Sequence, residues 1–280
     1  MIASNKRSGR NVLNKKYNTI KNKIIMKRLE NKVAIITGGS GSIGIATAAK
    51  FLEEGAKVVL VDLDQEGLEK AKKELNYGDK VSIVKADVTN DKDTSNFVNK
   101  AKEQFGKIDI LFANAGVEGK VKPIAEYDDD EFDKVLAVNV KGVYLSIKHS
   151  IPALKENGGG SIIISSSVAG LQGSPNTVAY VTSKHALVGL MRTAAQELAK
   201  DSIRVNTINP SPVDNRMMRS LEEGFAPGQA KEAKQQFEQT IPLGRYARPD
   251  EVADLVLFLA SDESKFITGT TNPVDGGLTS

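Results

Sequence analysis

Tyr180 and Lys184 stand four residues apart in "AYVTSK", and Ser167 lies thirteen residues before the tyrosine, just after the apolar run "SIIISS". A free phenol, with a pKa of about 10, is a poor base at neutral pH, but a nearby ammonium favours the phenolate and brings it toward working range. On a helix, positions i and i+4 share a face, so the two side chains point the same way. Tyr180 can then move a proton while a hydride moves elsewhere, with the Ser167 hydroxyl holding the reacting oxygen. A bare Y-x-x-x-K also decorates many helix surfaces by chance, so the chemistry gains weight only if other parts of the chain supply a cofactor.

"TGGSGSIG", Thr37 to Gly44, is where a cofactor would sit. Read from Gly39 it is G-x-G-x-x-G; read from Thr37 it is nearly T-G-x-x-x-G-x-G, with Ser42 in the place of the middle glycine. Either way, glycines let the backbone turn sharply and approach a pyrophosphate, whose charge is favoured by free amides at a helix start. An ordinary strand-to-helix turn would read the same. Asp62 adds independent support: it ends "VVLVD" eighteen residues beyond Gly44, near the spacing at which a carboxylate accepts from adenosine ribose hydroxyls. It would repel a 2′-phosphate, and no Arg or Lys stands beside it, so NAD is favoured over NADP.

The elements that must position these groups show in the hydrophobic pattern. "VAIIT" (33–37), "KVVLVD" (57–62), "KVSIVKAD" (80–87), "IDILFANAG" (108–116), "SIIISS" (161–166) and "IRVNTINP" (203–210) read as buried strands, with amphipathic helical stretches between them. This is the rhythm of βαβ units, and it predicts one α/β domain: a Rossmann-type, doubly wound parallel sheet with helices on both faces. Ligands in such sheets bind beyond the carboxyl ends of the strands.

Composition sets the limits. The 280 residues are 40% hydrophobic and 26% charged, contain no cysteine, and hold only His149 and His185 as histidines. Neither a disulfide framework nor a thiolate or histidine-rich metal centre is available, so no metal is expected. The first 29 residues carry nine basic and no acidic side chains, leaving 29 basic against 35 acidic in the remainder. The body is mildly acidic, which argues against a nucleic-acid surface, and no stretch is long and apolar enough for a membrane span. Residues 1–28 read as a basic, disordered extension preceding a domain of residues 29–280, with Met26 marking an alternative start. A cytoplasmic location is expected.

From about Lys32 to Gly277 the chain resembles the short-chain dehydrogenase/reductase family. Asn114, Ala115 and Gly116 match the family's N-A-G after the fourth strand; Asn139 in "AVNVKG" matches the helix asparagine that holds a proton-relay water; "PVDGG" from Pro273 matches the C-terminal signature. The resemblance implies that Ser167 orients the substrate oxygen, Tyr180 is the general acid/base, and Lys184 lowers the tyrosine pKa and binds the nicotinamide ribose. It places Gly38, Ser40, Ser42, Ile43 and Gly44 at the pyrophosphate, Asp62 and Leu63 at the adenosine ribose, Asp87 and Val88 at adenine, and Pro210, Val213 and Asn215 at the nicotinamide. It favours the T-G-x-x-x-G-x-G register and makes the overlapping motif incidental. It also implies a homotetramer with helices around 131–155 and 178–200 at an interface.

Three positions depart from the family pattern. Ser42 replaces a glycine and requires the turn to tolerate a Cβ; Ser211 and Asn215 in "PSPVDN" replace a glycine and a threonine, and Asn215 can still hydrogen-bond a carboxamide. The stretch 216–240 resembles the family's substrate flap. Met217, Met218, Leu221 and Phe225 suit either an apolar inner face or plain helix packing. Val117, Glu118, Val168, Leu171 and Gln172, with Met217, are the candidate substrate residues. His185 turns about 100° from Lys184 on a helix and is expected to be structural or exposed. The expected activity is NAD-dependent interconversion of a secondary alcohol and a ketone, with some likeness to members acting on cyclic ketones, the levodione-type reductases among them. Two alternatives stand: a 3-oxoacyl-carrier-protein reductase, and a non-catalytic NAD-binding regulatory or structural protein.

Overall fold

The computed structural model describes residues 27–280; the proposed extension and Met26 lie almost wholly outside this range. Seven strands form one parallel sheet: β1 (Val33–Thr37), β2 (Lys57–Asp62), β3 (Val81–Lys85), β4 (Ile110–Ala113), β5 (Gly160–Ser165), β6 (Ile203–Pro210) and β7 (Thr271–Val274). Their order is β3-β2-β1-β4-β5-β6-β7. Chain direction across the sheet reverses between β1 and β4, which opens a crevice at their carboxyl ends.

Because successive side chains leave a strand on opposite faces, a continuous apolar strand feeds two cores at once. Ile35, Val59, Leu111, Ile162 and Val205 lie in register across the sheet and all enter one core. That core is closed by α3 (Asp91–Phe105), α5 (Gly142–Glu156) and α6 (Val178–Leu198), through Phe97, Ile147 and Leu187 among others. Ile36, Leu60, Phe112 and Ile163 face the other way. There α1 (Ser42–Glu53), α2 (Gln65–Leu75) and α9 (Pro249–Ala260) cover them with Phe51, Leu68 and Val256. The two-layered burial is why these strands show β-branched runs rather than alternation.

The described chain also contains α4 (Asp129–Leu136), α7 (Arg216–Phe225) and α8 (Ala230–Thr240). The six strands expected from sequence are present, with β3 and β4 shorter than their apolar runs. β7 was readable only as a motif, because Pro273 argues against a strand; it sits at the sheet edge, where a missing donor is tolerated. The single helix expected around 131–155 is two helices joined by a π-helical turn, Ala137–Lys141. Arg28, assigned to the extension, belongs to the folded body: its amide donates to Glu54 Oε2 (2.9 Å), its guanidinium pairs with Glu263, and Leu29 is fully buried.

Candidate active site

Strand β5 ends at Ser165, and the chain turns so that Ser167 caps a short helical turn, its Oγ accepting from Ala169 N at 3.1 Å. The same hydroxyl donates toward Pro210 O at 3.4 Å, and Asn209 Nδ2 holds the Ser167 carbonyl at 2.9 Å, so the ends of β5 and β6 fix this serine together. Helix α6 then carries Tyr180 in its first turn and Lys184 one turn later. Lys184 is buried, with Nζ donating to Ser165 O at 2.8 Å and lying 5.4 Å from the Tyr180 ring centroid. His185, on the exposed side, bonds Val181 O of its own helix, as expected.

Asn139 is fully buried in the π turn. Its Oδ1 accepts from Val117 N (2.8 Å), while its Nδ2 donates to Val117 O (2.9 Å) and Ser183 Oγ (3.0 Å). Ser183 Oγ donates in turn to Tyr180 O at 2.7 Å. Ser183 is the member that sequence reading missed, although it lies inside "YVTSK". Asn139 therefore has no spare amide for a relay water; what the π turn can offer is backbone, and such turns recur at functional sites.

The electrostatics differ from the simple expectation. Burial pushes the Tyr180 phenol up to about 12; the Ser167 hydroxyl pulls it down in part, and the Glu118 charge adds to the rise. Burial also pulls Lys184 down to about 8. Lys184 does not offset the rise at the phenol, its ammonium being bonded to the Ser165 carbonyl.

On the other side of the crevice, the turn after β1 fits a phosphate-bearing ligand. Gly38 has φ +66°, and a Cβ there would lie 2.9 Å from Asn114 Nδ2. A Cβ on Gly44 would lie 2.3 Å from Gly38 O, and one on Gly39 3.0 Å from Leu60 Cα, so the turn is pressed against its own helix and against β2. Gly39 is thus a packing requirement, whereas a Cβ on Gly41 would meet only Gly38 O, at 3.3 Å. Ser42 is the first residue of α1, exposed and without a left-handed φ, so its Cβ costs nothing. Gly41 caps α1 with no side-chain bond and no acid occupies the first turn, which leaves the positive helix end free for an anion.

Asp62 Oδ2 accepts from Ser40 N (3.0 Å) and Oγ (2.7 Å), fixing the carboxylate at the crevice, and Leu63 beside it is 63% exposed. Asn114 N and Ala115 N both donate to Thr37 Oγ1, at 3.0 and 3.1 Å, so the N-A-G segment props the glycine turn. Asp87 accepts from Thr89 N and Oγ1, both at 2.8 Å, and Val88 is buried against Gly142. Val213 is buried and bridges to Ala247. Asn215 has a duty the sequence did not reveal: its Oδ1 caps α7 through Met218 N at 3.0 Å.

The flap is two helices, α7 and α8, with Phe225 and Phe237 edge to face at 5.4 Å. Met218 joins Ile241 and Tyr246 in a small separate core, with Leu221 and Phe237 against it. Helix packing therefore takes Met218, Leu221 and Phe225, leaving half-buried Met217 outside that cluster. Leu171 and Glu118 are half-buried, Val168 is buried, and Gln172 is exposed. Among the described residues, neither Gln172 nor Met217 hydrogen-bonds through its side chain to the Ser167–Tyr180–Lys184 group.

The family model described as "Enoyl-(Acyl carrier protein) reductase" matches residues 38–279. Levodione reductase from Leifsonia aquatica is 36% identical over 253 residues, covering 89% of this chain and 95% of its own. The crystal structure of levodione reductase superposes with a TM-score of 0.87 at 36% identity, covering 89% of this chain and 98% of that one. 3-Oxoacyl-(acyl-carrier-protein) reductase FabG from Thermotoga maritima is 37% identical over 252 residues, 90% of this chain and 99% of its own. NAD+-bound xylitol dehydrogenase matches with a TM-score of 0.85 at 35% identity, covering 90% and 100%. Fold and crevice define a parallel-sheet dinucleotide-type protein with a tyrosine–lysine centre. The chain belongs to the short-chain dehydrogenase/reductase family. Among the described residues, no helix is long and apolar enough to cross a membrane.

Proposed function

We propose that this protein is an NAD-dependent dehydrogenase that interconverts a secondary alcohol and a ketone. The observation that carries the reading is the hydrogen-bonded chain Asn139–Ser183–Tyr180 beside buried Lys184, whose Nζ donates to Ser165 O and lies 5.4 Å from the Tyr180 ring centroid, across the crevice from an uncapped glycine turn. Gly38, Ser40, Ser42, Ile43 and Gly44 would hold the pyrophosphate, Asp62 and Leu63 the adenosine ribose, and Asp87 and Val88 the adenine. Asn114, Ala115, Gly116, Pro210, Val213 and Asn215 would border the nicotinamide. When bound, the dinucleotide supplies the hydride acceptor or donor.

The protein's own groups handle the oxygen and its proton. Ser167 orients the substrate oxygen, and Tyr180 takes its proton in alcohol oxidation or gives one in ketone reduction. Lys184 holds the ribose and favours the phenolate once it is drawn from Ser165. Asn139 positions Val117 and Ser183, and the backbone of its π turn holds a relay water. Glu118, Leu171, Gln172 and Met217 would border substrate. The identity with levodione reductase supports a cyclic, mostly apolar substrate. Assembly as a homotetramer through α4–α5 and α6, a cytoplasmic location and a catalytic unit of residues 29–280 complete the reading.

A carrier-protein reductase is the second reading, favoured by the Thermotoga relative. The Asp62 carboxylate, which would repel the extra phosphate of NADP, supports NAD chemistry instead. The test is NADH formation from a panel of cyclic and linear secondary alcohols, run in parallel with NADP. NAD-dependent turnover is expected, at least about tenfold better than with NADP. Because oxidation needs the phenolate and burial holds the phenol up, the oxidation rate should rise with pH through the alkaline range while ketone reduction does not. Tight NAD binding with no turnover across the panel would favour the non-catalytic alternative.

A further inference from the structure

Glu118 is carried on a loop fastened at several points near the centre. Val117 is bonded twice to Asn139, Lys120 N donates to the Tyr127 hydroxyl at 3.1 Å, and Lys122 N donates to Asn176 O at 2.8 Å, four residues before Tyr180. Through Asn139 and Ser183 the same loop is tied to the Tyr180 carbonyl. The flap closes on it as well, since a Cβ on Gly224 of α7 would lie 2.8 Å from Val121 Cγ2.

The loop's own cations do not neutralise this carboxylate. Lys120 and Lys122 both put Nζ at 3.1 Å from Asp128, Lys184 faces Ser165 O, and Glu118 forms no ion pair among the described residues. Its charge is felt at the phenol, where it opposes ionisation. A half-buried, unpaired carboxylate is screened less than one fully in water, so its charge reaches a neighbouring group.

We infer that Glu118 determines specificity by charge: its unpaired carboxylate, held on the loop tied to Tyr180, disfavours alcohols with an anionic group near the reacting carbon and favours neutral or cationic ones. The inference rests on the alcohol–ketone reading above. It deepens that reading by removing carboxylate-bearing substrates from the class.

The test compares kcat/KM with NAD for trans-4-aminocyclohexanol and trans-4-hydroxycyclohexanecarboxylate, two rings alike but for the charge, in the native protein, Glu118→Gln and Glu118→Asp. A general folding defect lowers both rates and leaves their ratio. The native protein should prefer the cation; the cation-to-anion ratio should fall about tenfold or more in Glu118→Gln and recover in Glu118→Asp. In Glu118→Gln the pH midpoint for cyclohexanol oxidation should also move down, because a charge opposing the phenolate is gone. A ratio unmoved within about twofold, with good native turnover, overturns the charge filter alone. No NADH formation by the native protein from these three alcohols or from any of the cyclic and linear panel overturns the parent reaction, and the filter with it.

Discussion

The glycine turn after β1 and the two-helix segment α7–α8 after β6 both follow carboxyl ends of strands in the same sheet but are held by different forces. In the turn, backbone touches backbone: Gly44 leaves no room for a Cβ against Gly38 O, Gly39 none against β2, and Thr37 and Asn114 pin the remainder with hydrogen bonds. In the flap, side chains do the holding. Arg219 Nη2 lies 3.0 Å from both Asp214 Oδ1 and Glu222 Oε1, and Arg219 and Lys234 lie over the Tyr246 ring at 5.7 and 5.3 Å. Glu222 is 2% exposed, and burial with this facing carboxylate pushes the Tyr246 phenol upward. A region built of backbone contacts suits a constant ligand, whereas one held by a few side chains can open and be re-specified.

The contrast can be broken most forcefully at Gly44. Gly44→Ala drives a Cβ into a backbone oxygen that cannot yield, and overpacking of this kind costs about 1–3 kcal/mol. Thermal unfolding should shift down and NADH affinity should fall; an unchanged melting point with unchanged NADH binding would show that the turn is not rigid. Asp62→Ala should come next, bringing NAD and NADP together by about tenfold in kcat/KM, since it removes a fixed charge without disturbing the sheet. An undiminished preference for NAD would place the discrimination elsewhere.

The smallest effect sharpens the flap side. Arg219→Ala strips the cation from buried Glu222, but Arg219 is itself 44% exposed, so solvent screening holds the loss to about 1 kcal/mol. Amide exchange over α7 and α8 should quicken and KM for substrate should rise, with NADH affinity unaffected. Equal exchange in α1 and α7 would erase the difference between the two regions.

The same difference explains what could be read from the sequence. Strands β1, β2, β4 and β5 were legible because a strand buried on both faces is almost continuously apolar, whereas edge strand β3 and β6, which carries Arg204, Asn206 and Asn209, were legible from their Val and Ile. The glycine turn and Asp62 were legible because backbone crowding and charge restrict residue type. The flap was not: Met218 and Leu221 at helical spacing suit a core and a lid equally, and only the structure assigns them to the small core around Tyr246. "AVNVK" carries no mark of a π turn, Pro273 hid the edge strand, and the cap made by Asn215 looks in sequence like a ligand contact. The partnership of Tyr180 and Lys184 could be read from a spacing of four, but the direction of their pKa values could not, since burial by distant segments sets it.

On the proposed mechanism Tyr180 moves the proton while the glycine turn independently holds the dinucleotide. The direct measurement is Tyr180→Phe, assayed for NADH formation with an alcohol that the native protein oxidises and for NADH binding by fluorescence. Turnover should fall by at least about a hundredfold with NADH affinity retained. Turnover within about tenfold of native, with the cofactor still bound, would contradict a proton-transfer role for this tyrosine.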